Sequence, residues 1–245
     1  MEFLTSTGQK ILFYFIIFSI LFYLLMKYLR KKGHEYFSQS YWEGRYGYFT
    51  QQMDWYTNFT QLNKDFKIDE IIKENFFSKP HQINILELGC GNSTMSFNLY
   101  NLGYKNITAI DFSYNVISQM KKTYENTSIN YMQCDFNRLN EYFNKNEFNM
   151  IIEKAGLDSI ATKNSPEVPE KLVNIYEKIY YVLKNNGIIL SMSSKNPNFW
   201  KGNVFSKLEE RKLFKCIQIK RTTFSTQHNP IQMNLYFYYL KKIEL

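Results

Sequence analysis

Short apolar runs alternate with amphipathic stretches along most of this chain. Five runs of five to seven residues are bounded by polar or turn-forming residues, as buried strands are. These predicted strands are Ile83–Leu88, Ile107–Asp111, Ile129–Cys134, Phe148–Glu153 and Gly187–Ser193. Between them, apolar residues recur at helical spacing over residues 94–103, 114–124 and 170–183. The alternation predicts an α/β fold with a doubly wound, mostly parallel sheet.

The last part of the chain departs from this alternation. Residues 214–223 and 231–243 have the pattern of two strands joined by the short polar segment 226–230, which predicts an antiparallel hairpin. One strand near the C-terminus should therefore run against the others. Ahead of the sheet, helical spacing predicts one amphipathic helix over Asn63–Asn75, and residues 194–205 should form a loop.

The N-terminal stretch is the longest apolar run. Ile11–Met26 is unbroken apart from Ser19, and when extended to Leu29 it would form a helix of about 28 Å, close to the thickness of a bilayer core. A cleaved signal peptide would need a small-residue cleavage pattern, and a buried core helix would need a polar face; neither is present. The sequence therefore predicts a transmembrane helix.

The positions of the basic residues predict how this helix is oriented. One lysine precedes the apolar stretch and four Lys or Arg residues follow it, so the positive-inside rule places the C-terminal domain in the cytosol. The three cysteines lie far apart without C-x-x-C spacing, which argues against a disulfide framework and suits a reducing compartment. The scattered histidines have no spaced partners, so no metal site is predicted.

Charge and pattern together divide the chain into three parts. Residues 1–33 form the predicted anchor and its basic flank, residues 34–82 a linker with an aromatic segment and a first helix, and residues 83–245 the sheet domain. Half of the net charge of +8 comes from residues 1–33. The rest is a mild excess without a basic stripe, so a nucleic-acid partner is not expected.

The first predicted strand ends in a glycine-rich turn. Glu87 stands two residues before Gly89, and Gly91 follows. Glycines at these positions let a ligand lie against the backbone. Asp111, twenty residues past Gly91, ends the next strand, where a carboxylate can hydrogen-bond a ribose diol. These residues predict a nucleoside site, against the alternative of a glycine turn that binds nothing.

The kind of nucleoside follows from what the turn lacks. Thr94 stands where the dinucleotide fingerprint requires a third small residue, and no phosphate-binding lysine follows. Glu87 would repel a pyrophosphate but suits a ligand with a cationic centre or an amino group. S-adenosylmethionine has both. The segment Glu87–Gly91 resembles the first motif of the Rossmann-like S-adenosylmethionine-dependent methyltransferases.

Further candidates lie at the ends of the neighbouring strands. Asp135 follows the third strand and can accept a hydrogen bond from an adenine amino group, or it can simply form a turn. The rings of Phe136 and Phe112 can flank the base.

An aromatic cluster precedes the first strand. Its members include Trp42, Tyr46 and Trp55, which sequence order places outside the core of the sheet. Two interpretations stay open. The cluster is either an arm that packs on the surface or a lid whose rings cover an adenosine or a sulfonium.

Several ordered motifs together resemble one branch of the methyltransferases named above. The matching segments are Tyr41-Trp42, Arg45-Tyr46, Asp54-Trp55-Tyr56, Leu86–Ser93 and Ile151–Asp158. This branch contains the methyltransferase-like protein-lysine enzymes that modify elongation factor 1-alpha, together with their citrate synthase relative. The resemblance runs from about Tyr41 to the C-terminus. Two positions depart from it, because Ala155 stands where Gly is usual and Gly156 where Thr is usual.

The resemblance implies S-adenosylmethionine as cofactor and a lysine of an elongation factor 1-alpha-like protein as acceptor. It favours cofactor-binding roles for the aromatic cluster, for Asp135 and Phe136, and for Lys154, whose alternative is a solvated loop lysine. Glu153 and Asp158 are candidates for an acidic mouth that captures the substrate ammonium. Asp158 could equally cap a loop.

Two other functions stay open at this stage. The predicted membrane helix would hold the site near a bilayer, which would suit a lipid or small-molecule acceptor. The departures at Ala155 and Gly156 would suit a catalytically silent module that binds the cofactor and a partner. Methyl transfer itself is an in-line displacement that needs no metal, because its rate comes chiefly from alignment of the reacting groups.

Overall fold

A mixed sheet of seven strands dominates the computed structural model, which describes residues 14, 16–20, 35–48, 50–163, 165–226 and 229–244. The chain divides into two units, Met1–Glu35 and Tyr36–Leu245, and the sheet belongs to the second. The strand order is β3-β2-β1-β4-β5-β7-β6. The strands are β1 Asn84–Leu88, β2 Asn106–Asp111, β3 Asn130–Gln133, β4 Phe148–Lys154, β5 Leu183–Ser193, β6 Phe214–Thr226 and β7 Asn229–Lys242.

The direction of the strands matches the prediction. Strands β1 to β5 pair in parallel, whereas β7 pairs antiparallel with both β5 and β6, so β7 alone is reversed among them. The doubly wound, mostly parallel sheet with one antiparallel strand near the C-terminus is therefore confirmed. The hairpin is longer than predicted, because the strands extend through Thr226 on one side and from Asn229 on the other.

Helices cover both faces of the sheet. They are α1 Gln39–Tyr48, α2 Phe59–Phe66, α3 Ile68–Asn75, α4 Met95–Asn101, α5 Tyr114–Thr123, α6 Leu139–Tyr142, α7 Gly156–Ala161, α8 Val168–Val182, α9 Pro197–Trp200 and α10 Ser206–Glu210. A π-helical turn, Lys201–Phe205, joins the last two.

Two helical predictions need correction. The single helix expected over Asn63–Asn75 is broken at Lys67, whose left-handed φ of 62° ends α2 and starts α3. Both short helices keep one apolar face, so the apolar spacing alone did not reveal the break. A loop was expected over residues 194–205, but they contain α9. The Asn196 side chain caps this helix by accepting the Asn198 N–H, and Pro197 occupies the first helical turn.

Alternate residues of the central strands face two separate hydrophobic clusters. Ile85 of β1 and Ile152 of β4 face the cluster that includes Trp42. Leu86 and Ile151 face the other cluster, which includes residues of α8. Successive strand residues point to opposite faces. The two faces therefore receive different residues from the end of each strand, and this decides which side chains reach the site.

The predicted transmembrane helix lies mostly outside the described residues. Tyr14 and residues 16–20 are helical. Within the part of the chain that is described, the structure contains no helix that is both long enough and apolar enough to cross a bilayer. The anchor and the three-part division of the chain stay predictions.

Candidate active site

A cavity of ≈ 500 Å³ lies where the carboxyl ends of β1, β2 and β4 meet. In open α/β sheets ligands bind at this edge. Every predicted site residue except Glu153 lines the cavity. Those that do are Trp42, Tyr46, Trp55, Glu87, Gly89, Gly91, Asp111, Phe112, Asp135, Phe136, Lys154 and Asp158.

The glycine turn after β1 needs glycine for two reasons. Gly89 and Gly91 have φ values of 63° and 49°, in a backbone region that residues other than glycine rarely adopt. A Cβ at Gly89 would also lie 3.0 Å from the Phe136 ring, and one at Gly91 would lie 2.6 Å from the Tyr46 hydroxyl. The turn therefore admits aromatic side chains of the protein itself, in addition to exposing backbone to the cavity.

Asp111 at the end of β2 is fixed by backbone donors. Its Oδ2 accepts the Gly91 N–H at 3.0 Å, and its Oδ1 accepts the Ser113 N–H at 3.0 Å. Burial raises the pKa of Asp111 to about 6, although these donors act in the opposite direction. The carboxylate ties the glycine turn to the second strand and lines the cavity, where the sequence predicted a ribose contact.

Glu87 is buried at the end of β1 and faces α4. Its carboxyl accepts a hydrogen bond from the Ser96 hydroxyl. Burial raises the pKa of Glu87 to about 7, partly offset by that hydroxyl and by the Lys154 ammonium. A cationic ligand group nearby would favour the ionised form. Its position thus fits the charge complementarity expected from the sequence.

Asp135 is exposed and caps the turn that follows it. Its Oδ1 accepts from the backbone N–H and the side-chain amide of Asn137, at 2.9 and 2.7 Å. The turn-forming role that the sequence left open is thus present, and Asp135 also lines the cavity. Phe136 and Phe112 line it as well.

Two rings of the aromatic arm, which we define as residues 36–57, are buried rather than lying on the surface. Trp42 and Tyr46 are 8% and 4% exposed, stack at 5.5 Å and belong to one of the two core clusters. The expectation that sequence order keeps them apart from the core is wrong. The arm reaches back across the carboxyl edge of the sheet, so its rings both pack in the core and form a wall of the cavity.

Glu43 attaches the arm to the N-terminus of α5, the helix that follows Asp111. Its carboxylate accepts the backbone N–H groups of Tyr114 and Asn115 at 2.7 and 3.1 Å and the Ser113 hydroxyl at 2.9 Å. These groups form the N-terminus of α5, which favours a negative charge. Helix α1 is therefore held against the element that follows Asp111.

Lys154 forms a buried ion pair with Asp54 of the arm. The two charged atoms are 2.8 Å apart, and the side chains are 3% and 14% exposed. Asp54 also accepts hydrogen bonds from Ser93 and Thr94 at 2.5 and 3.0 Å. Burial acts to raise the pKa of Asp54, but Lys154 and these hydroxyls outweigh it and hold the pKa below its usual value. Lys154 is not a solvated loop lysine.

Asp158, on α7, lines the cavity, and its carboxylate accepts hydrogen bonds from four donors. Its Oδ1 accepts from the Ser193 hydroxyl at 2.5 Å. Its Oδ2 accepts from the Tyr56 hydroxyl at 2.5 Å and from the N–H and hydroxyl of Ser194 at 2.9 and 3.5 Å. Burial raises the pKa of Asp158, and these donors partly offset the rise. The residue is more than a loop cap, because its partners come from two segments distant in sequence, the arm and the end of β5.

The structure does not bring Glu153 to the cavity. This carboxyl is 1% exposed and accepts from the Ser191 hydroxyl and from the Leu157 N–H, the latter at 3.2 Å. Burial raises the pKa of Glu153 to about 8. Glu153 and Lys154 are consecutive in β4 and therefore point to opposite faces of the sheet. Of the predicted acidic mouth, only Asp158 lies at the cavity.

The two unusual positions after β4 have a structural explanation. Ala155 has a φ of 67°, in the left-handed region that explains why glycine is usual there. A Cβ at Gly156 would lie 3.2 Å from the Leu88 carbonyl oxygen and 3.3 Å from the Phe136 ring. The absence of a side chain at Gly156 therefore allows the Phe136 ring to approach the backbone closely.

Sequence reasoning did not assign roles to Tyr56, Phe224 and Met233, which line the cavity. It also assigned none to Asp54, which binds Lys154. Asp54 and Tyr56 flank Trp55 in a motif that carries the resemblance, which was an available signal. Phe224 and Met233 lie on the hairpin strands β6 and β7, and nothing local in their sequence distinguishes them from core residues.

Comparison with known families defines the class of protein. Residues 80–236 match the methyltransferase domain family, and the chain belongs to that family. The family and the fold imply S-adenosylmethionine as cofactor. The class expected from the glycine turn is confirmed.

The relatives in sequence agree with the branch identified from the motifs. The chain is 27% identical to the human eEF1A lysine and N-terminal methyltransferase over 174 residues, which cover 69% of this chain and 23% of that protein. It is 26% identical to mouse EEF1A lysine methyltransferase 4 over 180 residues, covering 70% of this chain and 66% of that protein. This chain thus spans about a quarter of the first relative and about two thirds of the second.

Solved structures show the same fold at low sequence identity. A SAM-dependent methyltransferase from Methanosarcina mazei superposes with a TM-score of 0.55 at 14% identity, covering 71% of this chain and 98% of that one. The cyclase SpnF superposes with a TM-score of 0.53 at 13% identity, covering 78% and 84%. Proteins with different reactions share this architecture, so the fold alone does not select the acceptor.

Proposed function

We propose that this protein is an S-adenosylmethionine-dependent methyltransferase that methylates a lysine of a protein substrate. The observation that carries the proposal is one cavity shared by Asp111, at the glycine turn, and Asp158, at the exit of β4. The relatives named for methylation of eEF1A support a protein acceptor of that kind.

The cavity fits the cofactor in its shape and in its donor set. Its volume of ≈ 500 Å³ lies in the range of small-molecule sites. Backbone at Gly89 and Gly91 adjoins the Asp111 carboxylate, which would hold the ribose, and Glu87 would complement a cationic group. Phe112 and the other aromatic walls would flank the base. When bound, the cofactor supplies a methyl group on a positively charged sulfur.

The residues around Asp158 would handle the acceptor amine. A lysine ammonium has a reference pKa of about 10.4 and must lose a proton before its nitrogen can attack. The Asp158 carboxylate would attract the ammonium into the cavity. The apolar walls of Phe224 and Met233 would then exclude water and favour the neutral amine, whose proton would pass to the Asp158 carboxylate. Alignment of this kind can supply about 7–11 kcal/mol of the barrier reduction.

Calorimetric titration of the full chain in detergent with S-adenosylmethionine tests cofactor binding. We expect a single site, and an affinity more than tenfold weaker in Asp111→Ala, because the variant loses both the acid and the bonds that fix the glycine turn. Asp65→Ala is the control, since Asp65 lies away from the cavity. Absence of binding by the unmodified chain would retire the proposal.

Mass spectrometry identifies the acceptor. Lysates are incubated with the full chain and isotope-labelled cofactor, and labelled methyl groups are mapped on proteins and in a lipid extract. We expect label on lysine side chains. Label in lipid alone would favour the lipid methyltransferase, and cofactor binding with no label in either fraction would favour the silent module.

We also propose, from sequence alone, that residues 11–29 anchor the protein in a membrane with its catalytic domain in the cytosol. Alkaline extraction of membranes should leave the full chain in the pellet. The double variant Leu21→Lys, Leu25→Lys should be released, because a charge at the centre of a span costs about 2.5–3.5 kcal/mol or more. Release of the unmodified chain would contradict the anchor.

A further inference from the structure

The cavity contains a strained turn whose purpose the proposed function does not explain. Tyr56 has a φ of 68°, and the Thr57 N–H donates to the Trp55 carbonyl at 2.9 Å. A hydrogen bond from residue i+2 to residue i around a central residue with positive φ is the rarer form of the γ-turn, which is strained. Such strain persists only where the surrounding structure imposes it, and it concentrates at functional sites.

The surrounding structure imposes this turn from both sides. The Lys154 ammonium lies 2.8 Å from the Asp54 carboxylate and 3.2 Å from the Thr57 carbonyl oxygen. One buried cation therefore binds the residues on either side of the Trp55-Tyr56 apex. The result is that the Tyr56 side chain points across the cavity to Asp158, 102 positions away in sequence.

The Tyr56 hydroxyl is the donor that the arm contributes to Asp158. Its ring is held 5.1 Å from the Phe224 ring of the hairpin, and both residues line the cavity. On its other oxygen, Asp158 is held by Ser193, which in turn accepts the Trp200 indole N–H at 2.8 Å. The carboxylate is thus fixed from two sides beside an apolar wall, a geometry that suits an ammonium on an alkyl chain.

We propose that Tyr56 is a positioning residue of the acceptor subsite, which holds the Asp158 carboxylate ionised and oriented toward the amine of the incoming substrate. The inference rests on the proposed function for the identity of that amine. Tyr56 itself does not touch the reacting atoms; it acts through Asp158.

The charged and titratable groups around Asp158 define the expected pH dependence. They are Glu153 on β4, Lys195 after β5, Tyr238 on β7 and Tyr56 itself. Burial raises the pKa of Asp158, whereas the Tyr56 hydrogen bond lowers it. Removing the hydroxyl should therefore raise the pKa further, so that less of the carboxylate is ionised as the pH falls.

The test measures amine binding in place of catalysis. Butylammonium, a mimic of the lysine side chain, is titrated into the full chain in detergent over a pH series, with binding followed by NMR. We expect Tyr56→Phe to weaken binding about tenfold at the acidic end of the series, as loss of a hydrogen bond to a charged group would, and the deficit to shrink as the pH rises. Asp158→Asn should abolish the difference between Tyr and Phe at position 56.

The matched control is Tyr104→Phe. Tyr104 also donates to a carboxylate, that of Asp69 at 2.7 Å, but neither residue lines the cavity. Its amine binding should equal that of the unmodified chain. Equal amine affinity for Tyr56→Phe at every pH, or a loss that is the same at every pH, would overturn the inference, as would absence of butylammonium binding to the unmodified chain.

A parallel titration with S-adenosylhomocysteine separates the two proposals. We expect Tyr56→Phe to bind it as the unmodified chain does. If neither protein binds it, the proposed function fails while the amine titration still decides the role of Tyr56.

Discussion

The exits of β1 and β4 lie side by side in the sheet but are built by different means. At the exit of β1, Asp111 binds the Gly91 N–H and all the participants lie within about one βαβ unit. At the exit of β4, Lys154 and Asp158 are held by Asp54 and Tyr56. Those partners belong to an arm about a hundred residues earlier in the chain.

The difference separates a locally encoded half of the site from an assembled half. The half around β1 depends chiefly on the conformation of the glycine turn and on backbone donors, and the arm adds the bonds from Ser93 and Thr94 to Asp54. The half around β4 depends on a buried ion pair and on side-chain hydroxyls from distant elements. We expect changes at the exit of β4 to affect folding of the arm and the acceptor region together.

The largest effect that would test this comparison is expected from Lys154→Met. The change leaves the buried Asp54 carboxylate without its cation, and breaking a buried pair in this way costs about 3–5 kcal/mol. We expect the free energy of unfolding in urea to fall by that amount. The control Lys163→Met removes an exposed pair with Glu167 and should cost under about 1 kcal/mol. Equal effects in the two variants would show that the ion pair does not hold the arm.

A second test uses the two buried glutamates, Glu87 and Glu153. Each lies near the end of its strand and accepts a hydrogen bond from a serine hydroxyl. Burial raises the pKa of Glu153 to about 8, so the folded state keeps its proton at pH values where the unfolded chain has lost it. This contribution makes the free energy of unfolding fall as the pH rises from about 4.5 toward 8. Glu153→Gln cannot ionise and should be more stable than the unmodified chain at pH 9, on the order of 2 kcal/mol.

Glu87→Gln provides the matched variant for this test. Burial raises the pKa of Glu87 to about 7, and the residue lines the cavity. Its stability should change in the same direction, but cofactor binding should weaken only in Glu87→Gln. Thermal unfolding over a pH series and calorimetry measure the two effects. Weaker cofactor binding in Glu153→Gln would contradict the placement of Glu153 outside the cavity.

The smallest effect is expected from Ala155→Gly. Ala155 has a φ of 67°, which costs an alanine roughly 1–2 kcal/mol, whereas glycine loses about 0.5–1 kcal/mol of chain entropy on folding. We expect the variant to be more stable by about 0.5 kcal/mol in urea unfolding. Ala161→Gly, at the end of α7, is the control and should destabilise the protein. Destabilisation by both changes would mean that the left-handed position is not strained.

Much of the site around β1 could be predicted because its signals are local. Each signal lies in the residues whose conformation it predicts. These signals are the apolar run, the two glycines and Asp111 twenty residues later. The sheet and its reversed strand followed from the same kind of pattern. The break at Lys67 could not be predicted in this way, because both short helices keep one apolar face.

The sequence by itself determined the class of fold, the glycine turn and the acids at the strand ends. Only the tertiary structure decided which acid reaches the cavity. Strand β4 is buried on both faces, so its apolar residues run together and hide the alternation that sends Glu153 to one face and Lys154 to the other. The docking of the arm was likewise decided by contacts between residues distant in the chain, for which no local pattern exists.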